Sequence, residues 1–424
     1  MVKKKVVILG GGLSGLTAAD SLLDKNVDLV LFEKNNYLGG LASSIIIDDE
    51  CIPKYYHHII DSNATTLKYL KRFDCLSNKE DWRRIQVSIG WDNKLTSINK
   101  LSGLLKFDYL TFWEKIRFGL FGLYVLFLLN PEKVNDDLGA RTWLLKYAGK
   151  RVTDKVFYNL YSRNKFNIDL DKISARQFSY RLKEREVLDK FMFPKKGIQG
   201  IVDGLEDSIK EKGGRIALAA EIHNVDLDKK ELLLESGEKY SFDLIINTIP
   251  VPEFLKVVKG LPGEYERKLS EVRYCPVIGL VFGTEDFLKR DVYWINLLQE
   301  KVHVVMQHSI LMDKYKDKIN WCVRYGGSEE DWDLPEDRIK KKYLEVVGRY
   351  FPGVKIKWVK LFKDKYGEPI YDIDYSKYAP KYKTPLDFLY MAGIQVTYPK
   401  IRNMNVALES GERVAEIIVS DHSL

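Results

Sequence analysis

The sequence predicts an α/β fold with a buried parallel sheet at its core. Residues 6–9 form a short, wholly apolar run, and residues 27–32 form a second run after a stretch of helical spacing at residues 16–23. Continuous apolar runs are typical of strands buried on both faces, as in parallel sheets. A strand candidate at residues 388–392, followed by a helix candidate at residues 405–419, extends this pattern near the other terminus.

The middle of the chain is less regular. Residues 66–194 are rich in aromatics and mostly helical in pattern, whereas residues 263–383 mix aromatic-rich strands with one helix. Periodicity and apolar runs predict helices at residues 202–210 and 339–350, and strands at residues 215–226, 231–234, 243–248, 277–282 and 321–325.

Composition narrows the class of protein. The chain has 424 residues, of which 45% are hydrophobic, and 67 Lys and Arg against 60 Asp and Glu give a net charge of +7. This is ordinary globular composition, long enough for two or three domains. The basic runs are only two or three residues long, so we expect no nucleic-acid partner. Four widely spaced cysteines and the lack of a signal-peptide pattern predict a cytoplasmic location.

A glycine-rich loop lies between the first strand and the first helix. Gly10, Gly12 and Gly15 form a G-x-G-x-x-G string that includes Leu13 and Ser14. In such a loop the first glycine permits a tight turn, the second lets the backbone approach a pyrophosphate, and the third lets helix and strand pack closely. The free amides of the helix N-terminus also favour phosphate. The string alone is weak evidence, but its position predicts dinucleotide binding.

Glu33 supports this interpretation. It lies 18 residues after Gly15, at the end of the second predicted strand. A carboxylate there can accept hydrogen bonds from a ribose diol and disfavours a 2′-phosphate, so NADP would fit poorly. The alternative is an ordinary surface glutamate at a strand end.

Further segments of the chain carry a family resemblance. Residues 33–43 (EKNNYLGGLAS) resemble the second flavin-contacting loop of the superfamily of flavin amine oxidases, protoporphyrinogen oxidases and phytoene desaturases. Residues 391–393 and 405–415 resemble its closing motif, and residues 193–205 and 222–225 are similar to two of its internal segments. The resemblance implies FAD as cofactor and a Rossmann-like FAD-binding domain of residues 1–65, 195–255 and 385–424. It also implies an interleaved α+β substrate domain of residues 66–194 and 256–384.

The resemblance also implies further contacts with FAD. Leu41 stands where many amine oxidases have an arginine, and Lys34 is a candidate substitute for that cation. The last cysteine is Cys322, so we expect the flavin to be bound without a covalent link. A helix N-terminus stabilises negative charge on a reduced flavin. Besides Gly10, Gly12, Leu13, Ser14, Gly15 and Glu33, the predicted cofactor-binding residues are Lys34, Gly40, Leu41, Ala42, Val225, Gly393, Met404, Asn405 and Val406.

The candidate catalytic residues are His58 and Arg324. Tyr55, Tyr56, His57 and His58 follow the second glycine loop, and adjacent histidines in an extended segment point to opposite sides. One of them, with His58 our choice, would face the flavin and act as acid or base. Arg324 would bind an anionic group of the substrate. Each has an alternative, a core or domain-interface histidine and an ion-paired arginine, and no set of residues has the spacing of a metal site.

Residues 118–129 (FGLFGLYVLFLL) are the most apolar stretch. As a helix they would span roughly 18 Å, too short for a bilayer core of about 30 Å. We expect a buried core helix. A membrane-surface patch, with peripheral contact at the inner face of the membrane, and the wall of a tunnel for an apolar substrate are the alternatives.

Together these features predict an FAD-dependent oxidoreductase. It would move hydride between the flavin and a C–N or C–C bond of a small-molecule substrate, with an apolar or lipid-linked substrate as one option. Two other functions stay open: a non-redox flavoenzyme acting on a nucleotide sugar, as in UDP-galactopyranose mutases, and a catalytically idle FAD-binding scaffold. The substrate, the electron acceptor and the oligomeric state do not follow from the sequence.

Overall fold

The computed structural model describes residues 3–97, 101–184 and 189–424. In chain order, the strands of the described residues are β1 (Lys4–Leu9), β2 (Val27–Phe32), β3 (Ser44–Ile47), β4 (Glu50–Pro53), β5 (Ile59–Ile60), β6 (Arg83–Arg84), β7 (Val87–Trp91), β8 (Lys94–Ser97), β9 (Lys190–Met192), β10 (Arg215–Ala217), β11 (Ile222–Asp226), β12 (Glu231–Leu234), β13 (Lys239–Ser241), β14 (Leu244–Asn247), β15 (Val258–Lys259), β16 (Tyr274–Thr284), β17 (Trp294–Leu297), β18 (Val304–Gln307), β19 (Lys318–Arg324), β20 (Ile356–Pro369) and β21 (Leu389–Met391).

The helices of the described residues are α1 (Leu13–Leu22), α2 (Ala64–Arg72), α3 (Leu101–Lys106), α4 (Phe112–Leu123), α5 (Ala140–Tyr147), α6 (Lys150–Val152), α7 (Tyr158–Tyr161), α8 (Ala175–Lys183), α9 (Gln199–Glu211), α10 (Val251–Val257), α11 (Gly263–Ser270), α12 (Glu336–Tyr350) and α13 (Met404–His422). π-Helical turns at Tyr124–Leu128, Thr153–Phe157 and Ser162–Phe166 continue or connect the helices of the middle region.

A five-stranded parallel sheet confirms the predicted core. Its strand order is β10-β2-β1-β14-β21, and Val6 of β1 lies between Leu29 of β2 and Leu244 of β14. β21, the last strand, pairs with β14. All three segments predicted for the FAD-binding domain therefore contribute strands to one sheet, although the exact domain boundaries stay predictions.

The two faces of this sheet have separate cores, because successive side chains of a strand point to opposite faces. Ile8 belongs to a cluster with Leu16 of α1 and Leu408 of α13. Leu9 belongs to a second cluster, with Val225 of β11 and Phe254 of α10. Helices thus cover one face, and a helix with a small second sheet covers the other.

The strand predicted for residues 215–226 is in fact two strands. β10 joins the parallel sheet, whereas β11 belongs to a sheet of order β13-β12-β11-β15. Ala219, between them, has a φ of 51°, in the left-handed region, which breaks the extended run. An apolar pattern alone does not reveal such a turn.

A seven-stranded sheet of order β20-β16-β19-β18-β17-β7-β8 forms the second large unit. Its strands come from the segments predicted for the substrate domain. Along β19, Trp321 and Val323 pack into the cluster shared with the parallel sheet, and Cys322 packs against α12. One face of this sheet is therefore turned toward the parallel sheet, and the other is covered by α12.

The prediction of a buried core helix at residues 118–129 is wrong for one side of this stretch. Phe121 of α4 is buried, with its ring 5.8 Å from Trp143 and 5.2 Å from Phe157. The same helix and the π-helical turn after it, however, expose the side chains of Leu120, Leu123, Phe127 and Leu128. The apolar run has two faces, and only one of them enters the core. Among the described residues, no helix combines the length and the apolar character needed to cross a bilayer.

Candidate functional site

The first glycine loop has the geometry that its sequence predicts. Gly10 has a φ of 102°, which favours glycine, and its amide donates to the Phe32 carbonyl at 2.8 Å. A Cβ on Gly15 would lie 2.0 Å from the Gly10 carbonyl oxygen. A Cβ on Gly12, in contrast, would meet no described atom within 4 Å. The fold itself therefore requires a glycine at position 15. At position 12 a side chain would fit without a clash, so Gly12 leaves open space beside the backbone.

The second glycine loop lies against the first. The Gly39 amide donates to the Gly11 carbonyl at 2.8 Å, and a Cβ on Gly40 would lie 3.4 Å from the Gly12 Cα. A 3₁₀ turn at Gly40–Ala42 follows, in which Leu41 is half-buried and Ala42 is buried. Two backbone segments thus border the open space at Gly12.

A buried hydroxyl lies next to this loop. The Ser43 side chain is buried, and its Oγ has no hydrogen-bond partner among the described residues. A buried polar atom without a partner is costly unless a ligand or water satisfies it. Together with the open space at Gly12, this hydroxyl fits a site built to hold a polar ligand such as a dinucleotide.

Glu33 is buried at the carboxyl end of β2. Its Oε2 accepts from the Gly11 amide at 2.8 Å, and its Oε1 accepts from the backbone and side-chain nitrogens of Asn35 at 2.9 and 2.6 Å. A carboxylate offers about four acceptor positions, so capacity is left for a ribose diol. Lys34, the candidate cation, is exposed.

Val225 lies in the interior of the small second sheet. It is fully buried in β11, where it pairs with Leu232 of β12 and Val258 of β15. The segment before β11 reaches the site, because the Ala220 amide donates to the Glu33 carbonyl at 2.9 Å. The predicted contact between the Val225 backbone and an adenine stays a prediction.

The two ends of the chain meet at α1 and α13. The Ser14 hydroxyl donates to the Ala407 carbonyl at 2.8 Å, and a Cβ on Gly411 would lie 2.5 Å from the Ser14 carbonyl oxygen. Leu13 is buried at the start of α1. The closing motif and the first glycine loop are therefore in direct contact, and their shared role in binding the cofactor stays a prediction.

The turn that precedes α13 is tied to the same helix. Gly393 has a φ of 102°, and its amide donates to Ser410 Oγ at 2.8 Å. This contact positions the turn after β21 beside the first half of α13.

The N-terminus of α13 differs in detail from the prediction. The helix begins at Met404, and the Asn403 side chain caps it by accepting from the Val406 amide at 3.0 Å. The Val406 amide is therefore engaged within the protein. Asn405 points its side chain to α2 instead, where its Oδ1 accepts from the Thr66 amide at 2.9 Å. The amides of Met404 and Asn405, in the first turn, have no carbonyl acceptor within the helix and stay the candidates for a flavin contact.

The two histidines point to different surroundings, as expected for neighbours in an extended segment. His57 Nε2 lies 3.0 Å from the Leu41 carbonyl oxygen, and burial lowers the pKa of this imidazole. His58 lies in an aromatic cluster, with its ring 4.8 Å from Phe191 and 5.6 Å from Trp294. The histidine that touches the second glycine loop is thus His57. The catalytic role predicted for His58 stays a prediction that this placement does not favour.

Arg324 is buried in an ion-pair network. Its guanidinium donates to Asp331, and to Glu330 Oε2 at 2.9 Å, while Lys342 contacts the same Asp331. It points to the α12 side of β19, because Trp321 and Val323 occupy the face toward the parallel sheet. Its carboxylate partners lie within the protein, so this geometry supports the ion-paired alternative over contact with an anionic substrate group.

Three site features were missed by sequence reasoning. Asn403 is the helix cap, and an asparagine just before an apolar helical pattern was an available signal. Thr248 follows β14, and its hydroxyl donates to the Leu9 carbonyl at 2.7 Å, beside the first loop. Tyr56 and Tyr325 place their hydroxyl oxygens 2.8 Å apart across some 270 residues of chain. Only the fold brings this last pair together.

The chain matches the model of one protein family. The family is described as flavin containing amine oxidoreductase, and the match covers residues 13–419. The chain belongs to this family. Membership confirms the predicted cofactor, FAD, and the predicted class, a flavin-dependent oxidoreductase. The open space at Gly12 and the unpartnered Ser43 hydroxyl fit such a cofactor.

Individual proteins show the same likeness. A 15-cis-phytoene desaturase of Solanum lycopersicum is 23% identical over 99% of this chain and 78% of its own length. The solved structure of a presumed protoporphyrinogen oxidase from Exiguobacterium sp. 255-15 is similar to this chain with a TM-score of 0.79. The two sequences are 15% identical, and the comparison covers all of both chains. Reduced UDP-galactopyranose mutase follows with a TM-score of 0.78, 14% identity, and coverage of 99% and 94%. The solved structures confirm the predicted fold.

The described residues offer no metal centre. No group of three or more His, Cys, Asp or Glu side chains within them could hold a metal ion.

Proposed function

We propose that this flavin-dependent oxidoreductase transfers hydride between FAD and a C–C or C–N bond of a small-molecule substrate, with an apolar or lipid-linked molecule as the favoured class. One observation supports the proposal: the Ser14 hydroxyl donates to the Ala407 carbonyl at 2.8 Å. This contact brings the loop that would hold the pyrophosphate next to the helix that would face the ring. A relative spanning nearly the whole chain is named as a desaturase of the polyene phytoene, which favours a C–C bond.

The residues that would hold FAD are those of the two glycine loops and the closing motif. The backbone at Gly12 and Gly40 would face the pyrophosphate, Glu33 the ribose, and Gly393 with the first turn of α13 the ring. FAD, when bound, accepts or donates the hydride. The protein therefore has to bind, orient and exclude water rather than supply a nucleophile.

The α13 terminus, His57 and the Tyr56–Tyr325 pair are suited to that task. The positive end of α13 stabilises negative charge placed before it by several tenths to about 2 kcal/mol. His57 is half-buried, and partial removal from water lowers its pKa, so its neutral form dominates at neutral pH, where it contacts the second glycine loop. Burial raises the pKa of Tyr325 well above 10, so the Tyr325–Tyr56 pair can donate a hydrogen bond but supplies no base at neutral pH.

Anaerobic reduction of the bound flavin tests the proposal. The purified protein is mixed without oxygen with an amine, a porphyrinogen, a polyprenoid or a sugar nucleotide, and the flavin absorbance is followed. We expect bleaching by one of the first three, with the polyprenoid favoured. If none of them bleaches the flavin, hydride transfer from these classes is wrong.

A second candidate function is supported by the likeness to reduced UDP-galactopyranose mutase. In that case the protein would convert a sugar nucleotide without consuming any electron acceptor. The discriminating measurement is product formation by pre-reduced protein in a sealed, acceptor-free reaction. Turnover there would replace the hydride-transfer proposal.

We also propose a cytoplasmic location. All four cysteines are free, and three of them are buried. Free thiols are usual in a reducing compartment. Fractionation of cells that produce the full chain would test this, and recovery from an oxidising compartment would contradict it.

A further inference from the structure

The outward face of α4 is more apolar than its inward face. Phe112, Trp113, Ile116, Leu120 and Leu123 are all exposed, with Trp113 at 76%. At 100° per residue they fall within an arc of about 100° on one side of the helix. A surface helix of a water-soluble protein normally shows polar residues on that side.

Contacts of the inward face fix the orientation of α4. Glu114 is buried, forms a capping box with Thr111 at the start of α4, and binds Lys155 Nζ at 2.8 Å. Phe121 packs on Trp143 on the same inward side. The buried charge is thus paired within the protein, and α4 cannot turn its apolar arc inward without breaking that ion pair.

The apolar surface extends beyond α4. Phe127, at 76% exposure, and Leu128 lie in the π-helical turn that continues the helix, and Leu105 lies on α3. We name this surface the α4 patch; it consists of Leu105, Phe112, Trp113, Ile116, Leu120, Leu123, Phe127 and Leu128. Contiguous apolar surfaces of this kind mark interaction sites.

Basic residues flank the patch. α5 packs beside α4, because an Arg117 guanidinium nitrogen lies 3.3 Å from the Lys146 carbonyl oxygen and the rings of Tyr124 and Tyr147 stack at 4.4 Å. Residues 139–152, which contain α5 and α6, include four basic residues and no acidic one. Of these, Lys146, Lys150 and Arg151 are exposed.

We propose that the α4 patch docks on the surface of an anionic lipid bilayer, which goes beyond the hydride-transfer proposal. The apolar side chains would enter the headgroup boundary, while the basic residues meet lipid phosphates. α4 has 12 residues, roughly 18 Å, so it lies on the bilayer and does not cross it. A second copy of the chain is a poorer occupant, because a two-fold interface through the patch would bring the two basic rims toward each other.

Vesicle flotation of the full-length, FAD-loaded protein tests the docking surface. Phosphatidylcholine vesicles with and without phosphatidylglycerol are compared, at low and high salt. We expect stronger binding to the anionic vesicles, weakened by salt. The double variant Trp113→Ser, Phe127→Ser should lower the partition coefficient about tenfold or more, since both side chains lose their burial in lipid.

Matched variants complete the design. Ile46→Ser replaces an equally exposed apolar residue (68%) outside the patch, so binding should not change. Lys146→Glu with Lys150→Glu should weaken binding to anionic vesicles and leave binding to phosphatidylcholine alone unchanged. Flavin absorbance and thermal unfolding confirm that each variant is folded.

Three results would overturn the proposal. The first is undiminished vesicle binding by the Trp113, Phe127 double variant. The second is an equal loss of binding in Ile46→Ser. The third is a lipid-free dimer that the double variant dissociates, which would assign the patch to a second copy of the chain.

Discussion

At Gly12 the backbone has a φ of −74° and a ψ of 173°, a conformation that any residue adopts, and a Cβ there would contact no described atom within 4 Å. Gly12→Ala should therefore leave the apoprotein as stable as the parent. The added methyl would occupy the space where the backbone is expected to approach the pyrophosphate, so the Kd for FAD should rise by about tenfold or more. Thermal unfolding of the apoprotein and FAD titration measure the two effects separately.

Two other glycines are controls for this prediction. A Cβ on Gly122, in α4, would also contact no described atom within 4 Å, so Gly122→Ala should change neither property by much. Gly15→Ala would press its Cβ against the Gly10 carbonyl and should destabilise the fold itself. Unchanged FAD affinity in Gly12→Ala would show that the cofactor lies elsewhere.

The buried imidazole of His308 should make the free energy of unfolding depend on pH. Burial lowers its pKa to about 3 from 6.5, with its ring 4.2 Å from Phe193 and 4.9 Å from Trp321. The unfolded chain thus binds a proton below about pH 6.5 that the folded protein binds only near pH 3. The free energy of unfolding should fall as the pH drops through this window, by up to about 1.4 kcal/mol per pH unit.

Urea unfolding between pH 7 and 4 measures this dependence. His308→Gln should make the loss of stability with falling pH less steep. His223→Gln is the control: this imidazole is exposed, with Nδ1 3.0 Å from Glu235 Oε1, so its loss should not make the slope less steep. Parallel slopes for all three proteins would rule out His308 as a source of the dependence.

Single residues were the least predictable part of the candidate site. Local pattern placed two histidines on opposite sides of their segment, but only the fold shows that His57 meets Leu41 and that His58 meets Phe191, some 130 residues away. The partners of Arg324 are only six and seven residues away in sequence, yet an alternating strand does not show which of its faces packs on α12. Such choices depend on long-range packing that a local pattern does not contain.

At the scale of elements, two asparagines at the start of α13 make hydrogen bonds, one within α13 and one to α2. Asn403 caps α13 through the Val406 amide, and Asn405 reaches the Thr66 amide in the first turn of α2. Asn403→Ala should lower the free energy of unfolding by about 1 kcal/mol and speed hydrogen exchange at Val406 alone. Asn405→Ala should speed exchange at Thr66 and leave Val406 protected. Loss of protection at both amides in either variant would show that the two hydrogen bonds are not independent.

The elements themselves were well predicted where the pattern was strong. Strands buried on both faces are read from continuous apolar runs, so β1, β2, β14 and β21 were found within one or two residues. The exposed face of α4 was not foreseen, because an apolar run looks the same whether its second face meets a core or solvent. Helical periodicity shows that a helix has an apolar face, but it does not show what packs against that face.

The whole molecule depends on the close contact of its two ends. A Cβ on Gly411 of α13 would lie 2.5 Å from the Ser14 carbonyl oxygen of α1 and 2.7 Å from the Thr17 Cβ. Gly411→Val should therefore force the helices apart, lower the free energy of unfolding by about 1–3 kcal/mol or more, and weaken FAD binding at the same time. Chemical unfolding and flavin titration are the measurements.

Gly348→Ala is the matched control, because Gly348 also lies inside a helix, α12, but a Cβ there would contact no described atom within 4 Å. We expect this variant to be unchanged or slightly more stable, by up to about 1 kcal/mol. Should Gly411→Val keep both the stability and the FAD affinity of the parent, the helix contact is not what joins the two halves of the site.

The position of β21 has a consequence for biosynthesis. About 390 residues separate the beginning of β1 from the end of β21, although both strands belong to one sheet. At ribosomal rates of about 5–20 residues per second, this last strand of the sheet is synthesised on the order of 20–80 s after β1. Until then the nascent polypeptide presents an unfinished sheet edge at β14, which chaperones would have to shield. Loading of FAD would then have to wait until β21 and α13 have been synthesised.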